Sequence, residues 1–442
     1  MYPDLNSKSA KLYAEACRYL PGGNTRRQVY MSPHQLYAAR GEGCNVIDVD
    51  GVARLDFSNN ATSLIHGHAH PEVMRAVKDQ LDRGTAFTIA TESEILLAKI
   101  LCERIPSVER VRFTNSGTEG VMMAIKAARA FTGKPKIAKC EGAYHGSYDV
   151  AEVSLAPTPD TWGADNAPAT VPYVAGTPST VLADVVVIPY NNAEAAERLI
   201  VQHKDELACV VVDLMPGHLN FIEIAPDFLA TLRRVTKAHG IVLIFDEVIT
   251  LRLGYRGNQH EVGVTPDLTA MGKIIGGGFP VGAVGGRADI MAVFDPSNGK
   301  PPLSHAGTFN ANPVTMTAGR KTLELLPVEE FTRLNELGDK LRAELGGMLN
   351  DEDVPNQVGG KGSLFKIAFY PQQVADYRAV YRASETTRSF APLFRYLLNH
   401  GILIGNDGRG SLSTPMTLRE VGRLTETVRA GVRELKKELV AA

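Results

Sequence analysis

The 442-residue sequence has no surplus of positive charge. Its 47 Lys and Arg face 49 Asp and Glu, for a formal net charge of −2, so no general basic field draws nucleic acid or anionic membrane to it. Cysteine is sparse. Cys17, Cys44, Cys102, Cys140 and Cys209 are scattered, with no CxxC and no Cys/His cluster. That argues against a metal site, and the odd count fits reduced thiols. No run of ~18 apolar residues marks a membrane span. The opening MYPDLNSKSAKLYAEACRYLPGG carries charges throughout. It reads as an amphipathic helix without the apolar core of a signal peptide. The expectation is a cytoplasmic protein.

What the chain does have is an alternation of short apolar runs with helical patterns. RVRFT (110–114), KIAKC (136–140), VVVIP (185–189), ACVVVDLM (208–215) and IVLIFDEV (241–248) are strand candidates. EGVMMAIKAARAFTG and PDFLATLRRVTKAHG are helical. Apolar strands separated by helices predict an α/β fold with a mostly parallel sheet sandwiched by helices. Ligands then belong at the carboxyl ends of the strands. Residues 155–183, rich in Pro, Thr, Ala and Gly, read as a long excursion of the functional kind. From about 325 the texture changes to charged helices and short strands. The expected organisation is an N-terminal segment of a small domain over 1–65, a large domain over 66–324 and a C-terminal small domain over 325–442. No internal repeat or low-complexity tract interrupts it.

Five stretches carry polar or glycine-rich chemistry at predicted strand ends. MGKIIGGGFPVGAVGG (271–286) holds Lys273 before a glycine run. This is not a phosphate-binding P-loop, whose glycines precede the lysine and whose Ser or Thr follows it. A lysine in apolar surroundings becomes a nucleophile suited to forming an imine with an aldehyde; the bland alternative is a lysine snorkelling to the surface. In TNSGTEG (114–120), Ser116, Gly117 and Thr118 fall at a helix start, where free N–H groups hold an anion or where the serine simply caps the helix. In EGAYHGSYD (141–149), Tyr144 offers a ring for stacking, or a packed turn. In IFDEVIT (244–250), Asp246 ends an apolar run and needs a cationic partner, either a ring nitrogen of a cofactor or an arginine such as Arg252. Val248 would share its side if the strand continued. HAGTFNANP (305–313) places Thr308 in a further polar turn. Together these supply an anion cradle, a stacking aromatic, a carboxylate for a ring nitrogen and an imine-forming lysine, the parts that hold pyridoxal 5'-phosphate (PLP).

TNSGTEG, YHG, FDEV, PDLTAMGKIIGGG and GTFNANP, in this order, resemble the class III (fold-type I) PLP-dependent aminotransferases. The branch most resembled contains glutamate-1-semialdehyde 2,1-aminomutase and the beta-phenylalanine aminotransferases. The resemblance runs from LPGGNTR (20–26) to the C-terminal helices. It implies a seven-stranded, mostly parallel sheet with a smaller α+β domain. It also implies that Ser116, Gly117 and Thr118 hold the cofactor phosphate, that Tyr144 stacks on the ring, and that Asp246 pairs with the ring nitrogen with Val248 on the other face. Lys273 is then the Schiff-base lysine and acid/base catalyst. Thr308 reaches the cofactor phosphate of a neighbouring subunit, which implies a homodimer. Arg26 and Arg409 match carboxylate-binding positions of this branch, a role that suits a guanidinium. The implied activity is ping-pong transfer of an amino group between an amino acid, a β- or D-amino acid among the candidates, and a 2-oxo acid. The alternatives are an intramolecular aminomutase, or a lyase or racemase on the same scaffold. One departure stands out. Where many relatives read Glu-Pro, this chain reads VVDLMPGHLNFIE with Asp213 and Leu214, near the expected substrate side.

Overall fold

The computed structural model describes residues 1–439 apart from 371 and 388. It divides into two compact units, one of residues 1–71, 333–373 and 382–442 and one of residues 72–332 and 374–381.

The second unit is built on seven strands: β1 (Arg110–Thr114), β2 (Lys136–Cys140), β3 (Val185–Ile188), β4 (Leu207–Asp213), β5 (Val242–Asp246), β6 (Leu268–Gly272) and β7 (Gly282–Gly286). Their order across the sheet is β1-β7-β6-β5-β4-β2-β3. Only β7 runs antiparallel to its neighbours, while β6, β5, β4, β2 and β3 pair in parallel. Every residue of β3, β4 and β5 is buried, as continuous apolar runs require when helices cover both faces.

Period-two alternation then sorts the side chains. Cys209, Val211, Val242 and Ile244 join one core, together with Val121, Ile125 and Ala128 of helix α1 (Gly117–Thr132). Val210, Val212, Leu243 and Phe245 join the other. They pack there with Leu199 and Ile200 of α2 (Ala193–Gln202) and Phe228 and Leu232 of α3 (Pro226–Ala238). Each such buried Val, Leu, Ile or Phe stabilises the unit by about 1.5–3 kcal/mol.

The five strands expected from apolar runs are present. β6 and β7 were not among them: LTAMG and GAVGG carry one β-branched residue each, and three of the five residues of GAVGG are glycines, which are depleted in strands. In β7 the glycines serve close approach. A Cβ on Gly282 would fall 1.8 Å from the Ser116 carbonyl oxygen, and one on Gly286 2.4 Å from that of Asp267. Residues 155–183 contain only a two-residue hairpin at 163–168 and the short helix Ser179–Ala183.

The first unit carries an antiparallel meander (Ala38–Glu42, Asn45–Asp48, Ala53–Asp56) joined in parallel by Ile402–Leu403. A three-stranded antiparallel sheet runs Gln357–Gly359, Leu364–Ala368, Arg409–Ser411. The N-terminal helix spans Lys8–Ala16, and the last described helix Leu418–Leu439. Among the described residues no helix is long and apolar enough to cross a membrane.

Candidate active site

The carboxyl ends of β1, β2, β4, β5 and β6 lie together along the sheet, and each delivers one polar group. At the end of β1, Ser116 caps α1: its Oγ accepts from the Glu119 N–H at 3.2 Å. The capping role does not exclude the anion role, since the serine O–H remains a donor and the N–H groups of Gly117 and Thr118 have no partner within the helix. Glu119 turns its carboxylate back to the Asn115 N–H at 2.8 Å.

At the end of β5, Asp246 is buried, and one carboxylate oxygen accepts from the Val248 N–H at 3.1 Å. The strand stops at Asp246, so alternation does not place Val248. The turn places it instead: a Cβ on Gly117 would meet Val248 Cγ1 at 2.7 Å, and one on Gly272 would meet it at 3.3 Å. Val248 therefore sits between the helix start and the end of β6, and at position 117 only glycine leaves room for it.

Lys273 follows β6 directly and adopts a left-handed backbone with φ +51°. For a long non-glycine side chain this conformation is uncommon and costs about 1–3 kcal/mol, of the kind found at functional sites. The glycines after it allow close packing against helix α4 (Pro313–Glu324): a Cβ on Gly277 would fall 2.5 Å from the Ala318 carbonyl oxygen.

The partner of Asp246 is a histidine rather than Arg252. His145, fully buried in the loop after β2, places Nδ1 at 2.9 Å from the other Asp246 oxygen. Burial pushes the His145 pKa down and Asp246 opposes this. A neutral His145 donates Nδ1–H to the carboxylate and keeps it oriented. Its Nε2 is buried without a hydrogen-bond partner. The only sign of this role in the sequence is a histidine between glycines at a strand end, in EGAYHGSYD. Tyr144, 39% exposed, keeps its ring open on one side. Its centroid lies 5.5 Å from that of His218, which belongs to the divergent PGHLN turn.

Asp213 ends β4 in register with Asp246 on β5, so two buried carboxyl groups share one face of neighbouring strands. Asp213 accepts from the Met215 N–H at 2.9 Å. Burial pushes its pKa well up, Asp246 adds to this, and nearby Lys273 opposes it.

Thr308 is exposed on the loop 305–311. That loop is tied to the helix start by Asn115 Nδ2 donating to Asn310 Oδ1 at 2.8 Å. Thr308 lines an open cavity of about 590 Å³ together with residues 86–91 and Phe309.

Arg26 and Arg409 belong to the other compact unit. Arg26 donates to Asn60 Oδ1 at 2.6 Å. Asn59, Asn60, Ala61 and Thr62 all have positive φ, 46° to 72°, a left-handed turn of four non-glycine residues. Asn59 Nδ2 donates at 2.8 Å to the carbonyl of Ser411, on the strand of Arg409. Arg409 pairs with Asp407 at 2.5 Å. Burial pushes Asp407 up, but Arg409 and Lys366 outweigh it and hold the carboxyl below its usual range.

With this geometry in hand, the chain matches the model of the class-III aminotransferases over residues 28–420. The chain belongs to the class-III aminotransferases. It is 41% identical to the glutamate-1-semialdehyde 2,1-aminomutase of Methanothermobacter thermautotrophicus over 90% of this chain and 91% of the relative. It is 38% identical to the beta-phenylalanine transaminase of Variovorax paradoxus over 97% and 93%. Among solved structures, an omega-transaminase from Sphaerobacter thermophilus superposes with a TM-score of 0.95 at 52% identity, over 98% of this chain and 99% of that one.

A class-III aminotransferase uses PLP, and this chain is a PLP-dependent transaminase of fold type I. Its residues fit that cofactor. The start of α1 offers N–H donors beside a glycine that no larger residue can replace without displacing Val248. A buried, histidine-held carboxylate and a lysine at the next strand end complete the set.

Proposed function

We propose that this aminotransferase moves an amino group from an amino acid to a 2-oxo acid by a ping-pong cycle, with β-amino acids as its donors. The observation that carries the reading is Arg26. It donates to the neutral amide oxygen of Asn60 rather than to a carboxylate, and the turn behind it is strained. A guanidinium held this way is ready for a bidentate carboxylate. Arg409 supplies a second guanidinium for the other carboxylates the cycle handles. The name of the similar Variovorax protein supports a β-amino donor.

The N–H groups of Gly117 and Thr118 and the Ser116 hydroxyl bind the cofactor phosphate. Tyr144 and Val248 bracket its ring, and Asp246, held by His145, faces the ring nitrogen. When bound, PLP supplies an aldehyde that takes up the amino group and a cationic ring that draws electrons from the substrate's C–H bond. Lys273 Nζ takes the proton from the amino-bearing carbon of the donor and, in the second half of the cycle, returns one to the acceptor's carbon.

The exposed Phe87, Ile89 and Phe309 beside Thr308 support burial of this face in a homodimer, with Thr308 reaching the second copy's cofactor. The five free cysteines support a reducing, cytoplasmic setting.

The second reading is an intramolecular aminomutase, favoured by the aminomutases among the relatives. Mixing PLP-loaded enzyme with β-phenylalanine alone separates the two. One oxo-acid product released per site identifies a transaminase; no released carbonyl product with any donor tested refutes it. Arg26→Ala and Arg409→Ala are each expected to weaken carboxylate substrates by about 2–5 kcal/mol in kcat/KM. Unchanged KM values for every carboxylate would remove that arginine from the site.

A further inference from the structure

Besides residues 72–332, the second unit contains one short separate piece of the chain, residues 374–381, and at its centre Arg378 is almost wholly buried. All five of its N–H donors have acceptors. Nε and Nη2 form a fork on the two oxygens of Glu141 at 2.9 and 3.0 Å. Nη2 also donates to the Trp162 carbonyl at 2.6 Å. Nη1 donates to the Gly163 carbonyl at 3.0 Å and to Asp165 at 2.7 Å. The guanidinium lies over the Trp162 ring, 4.8 Å from its centroid. The neighbouring Tyr377 ring lies where a Cβ on Gly142 would be, 2.1 Å from that position, and its hydroxyl donates to the Pro157 carbonyl at 2.7 Å.

Glu141 and Gly142 open the loop that carries Tyr144 and His145. At its far end Gly146 has φ +90°, and a Cβ there would fall 2.6 Å from Thr118 Oγ1. The loop is thus held at one end by Tyr377 and Arg378 and rests at the other on the helix start. His145 is pinned on Asp246 between the two. A chain of packed groups with no slack transmits a displacement at one end to the other.

We propose that Arg378, through its fork on Glu141, is a positioning residue that holds the Tyr144–His145 loop in its cofactor-binding form. The consequence for cofactor binding rests on the site reading above; the consequence for the loop does not. Arg378 touches no reacting atom, and its action runs through Glu141. A guanidinium suits the task because a lysine ammonium cannot serve two carboxylates and two carbonyls in fixed planar geometry. Removing it leaves the buried Glu141 without its forked partner and favours opening of the loop.

The test uses the apo-enzyme of the wild type and of Arg378→Met, Arg378→Lys and Glu141→Gln. Amide hydrogen exchange is followed across 143–148, and PLP is titrated with visible circular dichroism as readout. The expected result is faster exchange over 143–148 and a PLP dissociation constant raised roughly three- to thirty-fold. The lysine variant should fall between wild type and Arg378→Met. If Arg378→Met does not fold, the other two variants carry the test. Wild-type exchange or a wild-type dissociation constant in the folded variants, with only the melting temperature lowered, overturns the proposal. Lys273→Ala removes the amine and leaves the clamp, so it should keep wild-type exchange over 143–148; a failure of the lysine assignment is thereby told apart from a failure of the clamp.

Discussion

Two lysines set the terms at the scale of single residues. Lys139 is more deeply buried than Lys273, and burial pushes its pKa down to about 8. Yet its Nζ donates to the carbonyls of Val153 at 2.7 Å and Cys140 at 3.2 Å, which satisfies it structurally. Burial alone therefore does not mark a catalytic amine; Lys273, at a strand end with a left-handed backbone, is the lysine to which the proposed function gives that role. Lys273→Ala should lose at least ~10³-fold in turnover together with the visible absorbance of lysine-bound cofactor, read by spectrophotometry. Turnover at the wild-type rate would refute the assignment.

Asp213 gives a prediction of the opposite kind. Its folded pKa is raised by burial and then by Asp246, whereas in the unfolded chain an aspartate titrates near about 3.9. Above that pH the unfolded chain releases a proton that the folded chain keeps, so folding takes up a proton and stability falls as pH rises toward the folded value. Asp213→Asn removes this penalty. Apo-enzyme denaturation curves should show no pH-dependent gain below the unfolded aspartate value of about 3.9 and a gain that grows as pH rises above it; a gain independent of pH would show that the carboxyl's pKa is not raised in the fold.

At the scale of elements, the site depends on glycines that let three pieces of backbone touch. Gly117 admits Val248, Gly282 admits the Ser116 carbonyl and Gly277 admits α4. In the sequence TNSGTEG reads as a helix start and MGKIIGGG as a lysine before a glycine run, and neither reading assigns these glycines a packing role. Their role in sheet and helix packing emerges only when β7 is seen lying between β1 and β6. Gly282→Ala should destabilise the protein by about 1–3 kcal/mol, as overpacking does. Because the clash is with the helix cap, it should also weaken PLP binding. Denaturant unfolding and PLP titration on the same samples check both effects, and an unchanged PLP affinity would separate β7 packing from the cradle.

At the scale of the whole molecule, the face around Thr308 bears on assembly. Phe87, Ile89 and Phe309 are 50%, 79% and 60% exposed, and in the homodimer proposed above the second copy would cover them. Light scattering should give twice the mass of the 47.8 kDa chain. Phe309→Asp should shift the mass toward the monomer and lower PLP retention in step. A wild-type mass in that variant would place the interface elsewhere.

The apolar runs of β1 to β5 and the helices between them could be read from the sequence because their pattern is local: hydrophobic periodicity and length decide them. Asp246, Tyr144 and TNSGTEG could be picked out as site candidates for the same reason, since each follows such a run, whereas Lys273 follows the unexpected β6 and was picked out by the glycines after it. Tertiary structure alone decided the rest. That β4 and β5 pair in register sets Asp213 beside Asp246. The loop after β2 folds back to bring His145 onto that carboxylate. A residue 237 positions away, Arg378, closes over Glu141. These contacts join residues distant along the chain, and nothing in the local pattern of either partner encodes the other; only the assembled sheet, with its fixed strand order and spacing, brings them within hydrogen-bond reach.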